Sequence, residues 1–469
     1  MSKQRKAWLW LVIGLGLMGL ACSLSTELPP TLVPSTPIAT ITPEQAFAPP
    51  TLAPQPFAIT PPPQAPAATP VNIIRPYNLD QVSTERMMGN INTLVSFESR
   101  HVLSTASTTT GIAAAERWIT NQLNEIRASS PFPDIRIDVY AHQFQYEFAG
   151  QQLIPSNVIM AVTGTDAAAG VVIIGAHYDT MSQAWTTGDN YQPGANDNAS
   201  GVSAVLEIAR HMVMQRNRAT LVFVFFAAEE TGRQGSLAFV NDYIKVQNIP
   251  VVAVFNLDSI GSPLGVRGER FDNKMRLYSE GPNDGANSRQ LARMVHFAAL
   301  NYLPNMVVEV RDATDRSGRW GDHMSFSDVG YPAVRLVEGA DDPLVFHTPR
   351  DTVDRVDPLY LQRTTQVALA AVELMANGPN PPTLKPLRPS ATDPASLTLE
   401  WSYSPFCASY IIALRRPDSL VYDRFFSVEG GALSVSSGEF KNYGWVTVGC
   451  VDTQGRLGRL APELPVPTS

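Results

Sequence analysis

Two hydrophobic runs in this chain end in residues that bind metals. Val171 to Ala176 leads into His177-Tyr178-Asp179, and Leu221 to Ala228 leads into Glu229-Glu230. Between them, Gly194-Ala195-Asn196-Asp197-Asn198-Ala199-Ser200-Gly201 reads as a tight turn feeding a helix. A third run ends Asn256-Leu257-Asp258, and His347 lies in the loop before a later helix. His177, Asp197, Asp258, His347 and one of the paired glutamates, Glu229 or Glu230, form a candidate ligand set. Residue chemistry does not choose between the two glutamates. Imidazole and carboxylate without thiolate suits zinc, and would also accommodate manganese or cobalt. Five side chains with one shared aspartate can hold two divalent ions about 3.5–4 Å apart, which clamp a bridging water and acidify it. The unligated glutamate would take that proton and pass it to a leaving amine. Asp179, at a strand end beside His177, is suited to accept from the second imidazole nitrogen.

Such residues need a scaffold. Met87, Met88, Ile91 and Leu94 give Ser83–Val95 helical spacing, and Ile112–Arg127 repeats it. Strands are expected at 135–146, 156–162, 171–176, 220–226, 251–257, 306–310 and 332–337, with helices at 199–215, 236–246 and 288–301. Asp357-Pro358 is a helix start, an N-cap followed by proline at the first helical position. Alternating strands and helices predict an α/β fold, a mainly parallel mixed sheet sandwiched by helices, with ligands at the carboxyl ends of strands. His101, His142, His211 and His296 carry no ligand-like context, and Glu207 reads as a solvated helix face.

The segments around His177, Gly194 to Gly201, Ala227-Ala228-Glu229-Glu230, Asn256-Leu257-Asp258 and Phe346-His347-Thr348, in this order, resemble the zinc aminopeptidases of peptidase family M28, as exported, bacterial-type members. The resemblance runs from about Leu79 to Asn377. It implies the zinc-aminopeptidase-like α/β fold. It also implies that Asp197 bridges two ions, that His177 and Asp258 complete one site, and that Glu230 and His347 complete the other. Glu229 would be the general base and Asp179 the partner of His177. Asp322-His323 resembles a family segment near the substrate cleft, so both are candidate pocket residues. Asn196 stands where many members carry a second carboxylate, which leaves the ligand set intact and alters the charge beside it.

At 469 residues the chain is too long for one ordinary core. A net charge of −8 argues against nucleic acid as a partner. Residues 1–22 read as a signal of lipoprotein type: Lys3, Arg5 and Lys6 precede an uncharged apolar run to Ala21, and Cys22 is the candidate lipidation site. This predicts export, as a cell-surface lipoprotein held to a membrane by lipid or anchor, or as a secreted protein. Residues 23–76, rich in Pro, Thr and Ala, read as a spacer. Residues 77–378 would be the metallopeptidase domain and 379–469 a small β-sandwich resembling a fibronectin type III module. Of three cysteines, Cys407 and Cys450 remain to pair as a disulfide in an oxidising compartment.

The leading expectation is an exported di-zinc exopeptidase that hydrolyses N-terminal residues from peptide or protein substrates, using a metal-bridging water and a glutamate base. A carboxypeptidase or glutaminyl cyclase on the same scaffold, or a non-catalytic binding protein, is the alternative. A one-zinc cyclase is disfavoured by a full two-metal ligand set. The sequence carries no signal for an oligomeric state.

Overall fold

The apolar runs become strands whose alternate residues feed two different cores. The structure, a computed structural model, describes residues 73–105, 107–181, 191–280, 286–315 and 320–467. The strands of the first part are β1 (Ile137–Gln143), β2 (Tyr146–Phe148), β3 (Gln151–Leu153), β4 (Ser156–Val162), β5 (Val171–His177), β6 (Thr220–Phe226), β7 (Val251–Leu257), β8 (Lys274–Tyr278), β9 (Val307–Arg311) and β10 (Ala333–Glu338). The helices are α1 (Thr84–Val95), α2 (Gly111–Ser129), α3 (Gly201–Met212), α4 (Gln234–Phe239), α5 (Ala286–Tyr302), α6 (His323–Ser327) and α7 (Pro358–Asn377).

One sheet has the order β1-β4-β6-β5-β7-β10-β8-β9, with β2 and β3 forming a separate hairpin. Strands β6, β5, β7 and β10 are mutually parallel. Antiparallel pairings of β4 with β6 and β8 with β10 flank this centre. Strand β8 was not expected. Its first four residues alternate charged and apolar, too short a run to stand out, and pairing with β10 and β9 defines it.

Val172, Ile174 and Ala176 point into one core with residues of α1, α2, α3, α5 and α7. Val171, Ile173, Val224 and Phe226 point into the other, against Phe239 and Phe326. The three rings of Phe226, Phe239 and Phe326 lie 6.2–6.3 Å apart. Gly175 is required there, because a Cβ would sit 2.6 Å from the Phe226 ring. Helix α7 begins as expected, with the Asp357 carboxylate accepting from the backbone N–H groups of Leu359 and Tyr360.

Glu207 corrects an expectation. It is buried rather than solvated, and accepts from Arg86 Nε (2.9 Å), Arg86 Nη2 (2.6 Å) and Ser83 N (2.8 Å), with His211 Nε2 at 3.2 Å.

The tail forms two antiparallel sheets: β11 (Leu384–Pro389), β12 (Leu397–Trp401) and β15 (Ser434–Ser437) in one, and β14 (Arg424–Glu429), β13 (Cys407–Arg415), β16 (Trp445–Asp452) and β17 (Leu457–Leu460) in the other, with β18 (Leu464–Pro465) beside β16. Tyr410, Ile412 and Leu414 face the core between these sheets, while Ile411 and Ala413 join the core of the α/β part. The described residues, 73–467, fall in one compact unit, so the expected boundary at 378/379, at the end of α7, lies inside it. A disulfide joins Cys407 and Cys450 on adjacent strands. Among the described residues no helix is long and apolar enough to cross a membrane. The expected signal, Cys22 and most of the spacer lie outside the described residues.

Candidate metal centre

Three parallel neighbours deliver donors to one end of the sheet. His177 ends β5, Glu230 follows β6 and Asp258 follows β7. Asp197 comes from the irregular turn Ala195–Ser200 before α3, and His347 from the loop between β10 and α7. His177 Nε2 lies 3.3 Å from Asp197 Oδ1 and 3.6 Å from Asp258 Oδ1. His347 Nε2 lies 3.4 Å from Asp197 Oδ2 and 3.0 Å from Glu230 Oε2. Two donor groups therefore share Asp197: His177, Asp197 and Asp258; and Asp197, Glu230 and His347, with donors in each within 4.8 Å of one another. Glu229 lines the same cavity and belongs to neither group.

The surrounding backbone is strained where it serves the donors. Ala228, Ser259 and His347 occupy the left-handed region with φ of 57–58°. Gly194 does so at φ 53°, where a Cβ would crowd Thr180 and Arg100. The buried Arg100 guanidinium donates to the carbonyls of Leu94, Tyr178, Pro193 and Gly194, tying the end of β5 to the turn before Asp197. Burial lowers Arg100 to about 10.

Asp179 stands beside the second imidazole nitrogen of His177. Its backbone carbonyl is 3.2 Å from His177 Nδ1, and its carboxylate Oδ1 is 3.6 Å away. The carboxylate accepts from the backbone N–H of Glu229 and of Glu230, each at 3.1 Å, and so aims the paired glutamates. Asp351 does the same for the shared ligand, accepting from Asn196 N and Asp197 N at 2.8 Å. Arg335 Nε sits 2.9 Å from Asp258 Oδ2. Asn196 donates to Glu338 (2.8 Å) and accepts from Gly261 N (2.8 Å), which makes it a joint rather than a ligand. Sequence reading missed Asp351, Arg335 and Arg100. Each reaches a partner 77 or more residues away, and no periodic pattern marks such a partner.

The sequence leaves Asp322 and His323 open between pocket wall and loop support. Both are buried and neither lines the cavity. His323 Nε2 lies 3.0 Å from Glu280, and burial pushes Asp322 up to about 7 against the pull of His177. Residues 182–190, which follow the cavity-lining Met181 in the chain, lie outside the described residues. His101, His142, His211 and His296 stand outside both donor groups.

The electrostatics call for cations. The Glu230 charge, opposed by burial and joined by Asp197, raises His347 to about 11. Burial alone would lower His177, yet Asp179, Asp197 and Asp258 raise it well above the ordinary range. Burial would raise Asp258, but Arg335 and His177 hold it at about 2. Burial, opposed by His177 and reinforced by Asp322, Glu230 and Asp258, raises Glu229. Glu230 Oε1 is buried without a hydrogen-bond partner. A nitrogen-and-oxygen donor set converging on shared Asp197, with an orphaned carboxylate oxygen, fits divalent ions.

Residues 157–372 match the model described as peptidase family M28. A probable zinc metalloprotease of Pyricularia oryzae is 32% identical over 337 residues, 64% of this chain and 66% of that protein, so the chain spans about two thirds of its length. Another, of Leptosphaeria maculans, is 28% identical over 75% of this chain and 88% of its own. These relatives are fungal and do not support the bacterial-type expectation. The LapA aminopeptidase of Legionella pneumophila shares the fold at 20% identity and a TM-score of 0.50, over 65% of this chain and 77% of its own. In its sheet, its strand-end donors and the match over residues 157–372, the chain is similar to peptidase family M28.

Proposed function

We propose that the protein is a zinc metallopeptidase of aminopeptidase type that holds two ions and removes N-terminal residues from peptides. The observation that carries this is the pair of donor groups sharing Asp197, with Glu229 beside them and unligated. His177 and Asp258 would hold one ion, Glu230 and His347 the other, and Asp197 both. When bound, the ions supply polarisation of the scissile carbonyl and acidify water. Glu229 then takes the proton from the attacking water and gives it to the departing amine nitrogen. Asp179 and Asp351 hold the glutamate pair and Asp197 in register through backbone N–H groups. A carboxylate of the cavity would hold the substrate's free amine.

Export also remains part of this proposal. Residues 1–22 carry it, with Cys22 as the lipid site, and the Cys407–Cys450 bond suits an oxidising compartment. The three-strand and four-strand split of the tail, with β18 added, supports the fibronectin type III-like reading.

The test is elemental analysis of the purified protein with aminoacyl-anilide hydrolysis before and after chelation. About two zinc per chain with chelator-sensitive release of N-terminal residues is the expected result. One zinc without hydrolysis would favour the cyclase alternative, and absence of metal a binding protein.

A further inference from the structure

The turn that presents Glu230 also presents a cation. After Glu230 the chain passes Thr231-Gly232 into Arg233, and the N–H groups of Gly232 and Arg233 donate to the Glu229 carbonyl at 2.9 and 2.7 Å. Arg233 is held at φ 60°, ψ 30°. Its side chain lines the donor cavity together with Met181, Trp320 and the ligands, and is 16% exposed. Its Nε and Nη1 are buried and meet no hydrogen-bond acceptor. Among the described residues the one carboxylate within ion-pair range is Asp328, 3.7 Å from Nη1 and itself 48% exposed. Arg100, fully buried, instead uses its nitrogens on four carbonyls.

A guanidinium out of water with unmet donors is costly, unless something else meets them. Its planar fork matches a carboxylate. We propose that Arg233 is a specificity residue that binds a carboxylate of the substrate beside the scissile bond. This rests on the peptidase reading. The carboxylate has two sources: the side chain of an N-terminal Asp or Glu, or the C-terminal group of a dipeptide.

The experiment uses the zinc-loaded full chain. kcat/KM is measured for glutamyl- against glutaminyl-anilide, and for leucyl-glycine against leucyl-glycinamide, in the native protein, Arg233→Met and Arg233→Lys. Each pair differs in a single carboxylate. The native protein should prefer the charged member of one pair, and Arg233→Met should cut that charged-to-neutral ratio about 10- to 100-fold, with Arg233→Lys between. Loss in the anilide pair assigns the side-chain source; loss in the dipeptide pair assigns the C-terminal source. A ratio unchanged by Arg233→Met in both pairs, or equal loss with Asp328→Asn and no discrimination, overturns the proposal and leaves a structural arginine. Absence of chelator-sensitive hydrolysis of all four substrates sinks the peptidase reading instead. Calorimetric binding of L-glutamate against L-glutamine and of leucyl-glycine against its amide then decides: a carboxylate preference that Arg233→Met abolishes supports the proposal, and equal binding overturns it.

Discussion

Glu229 and Glu230 are sequence neighbours with different work. Glu230 points Oε2 at His347, while Glu229 faces the cavity free of both donor groups. Glu229→Gln is expected to keep bound metal and to lose about 10²- to 10⁴-fold in kcat. Metal content and turnover measured on one sample check this, and near-native turnover would remove Glu229 from its role. Asp351 shows how a residue can matter without touching metal or substrate. Its two oxygens hold the backbone N–H groups of the shared ligand and of the residue before it. Asp351→Asn keeps one acceptor at most, and metal affinity should fall about 10- to 100-fold, read by chelator competition.

At the scale of elements, the start of α1 is fastened to α3 through Glu207. Burial would raise this carboxyl, but hydrogen bonds from His211, Arg86 and Ser83 N hold it at about 2. A folded value depressed below the ordinary 4.5 gives stability that is present above that pH and lost as pH falls from about 4.5 toward 2. Glu207→Gln should therefore be less stable at pH 7, on the order of 3 kcal/mol, and should lack that part of the acid-induced loss. Urea titrations of both proteins between pH 2 and pH 7 would show it, and parallel curves would count against it.

The molecule as a whole does not divide at the end of α7. Phe297 of α5 stacks on Phe425 of β14 at 4.9 Å, and Glu463 takes both Arg415 (2.8 Å) and Arg293 (3.2 Å). The Tyr302 hydroxyl accepts from Leu457 N at 3.1 Å. Removal of residues 379–469 would uncover α5 and α7, and the remaining chain should aggregate or melt well below the intact protein. A soluble fragment with the native melting temperature would refute the shared core. Within the tail, the Cys407–Cys450 bond spans 43 residues. Cys450→Ser should cost about 2–4 kcal/mol in urea unfolding, with no further loss on adding reductant.

The donors and their strands were legible because both signals are local. An apolar run that ends in His177 or Asp258 shows strand and ligand together, and Asp357-Pro358 carries its own cap. The ordered motifs then pointed to the family. What the linear sequence left open were roles set by partners far along the chain. A carboxylate looks the same whether it joins a donor group like Asp258, holds two N–H groups like Asp351, clamps an arginine like Glu207 or is buried outside the cavity lining like Asp322. Charge and periodicity are properties of the chain, whereas burial and hydrogen-bond partners exist once strands from distant segments are side by side. The same reason hid β8, whose pairing with β10 is its main signal, and the unmet nitrogens of Arg233, which only the folded cavity reveals.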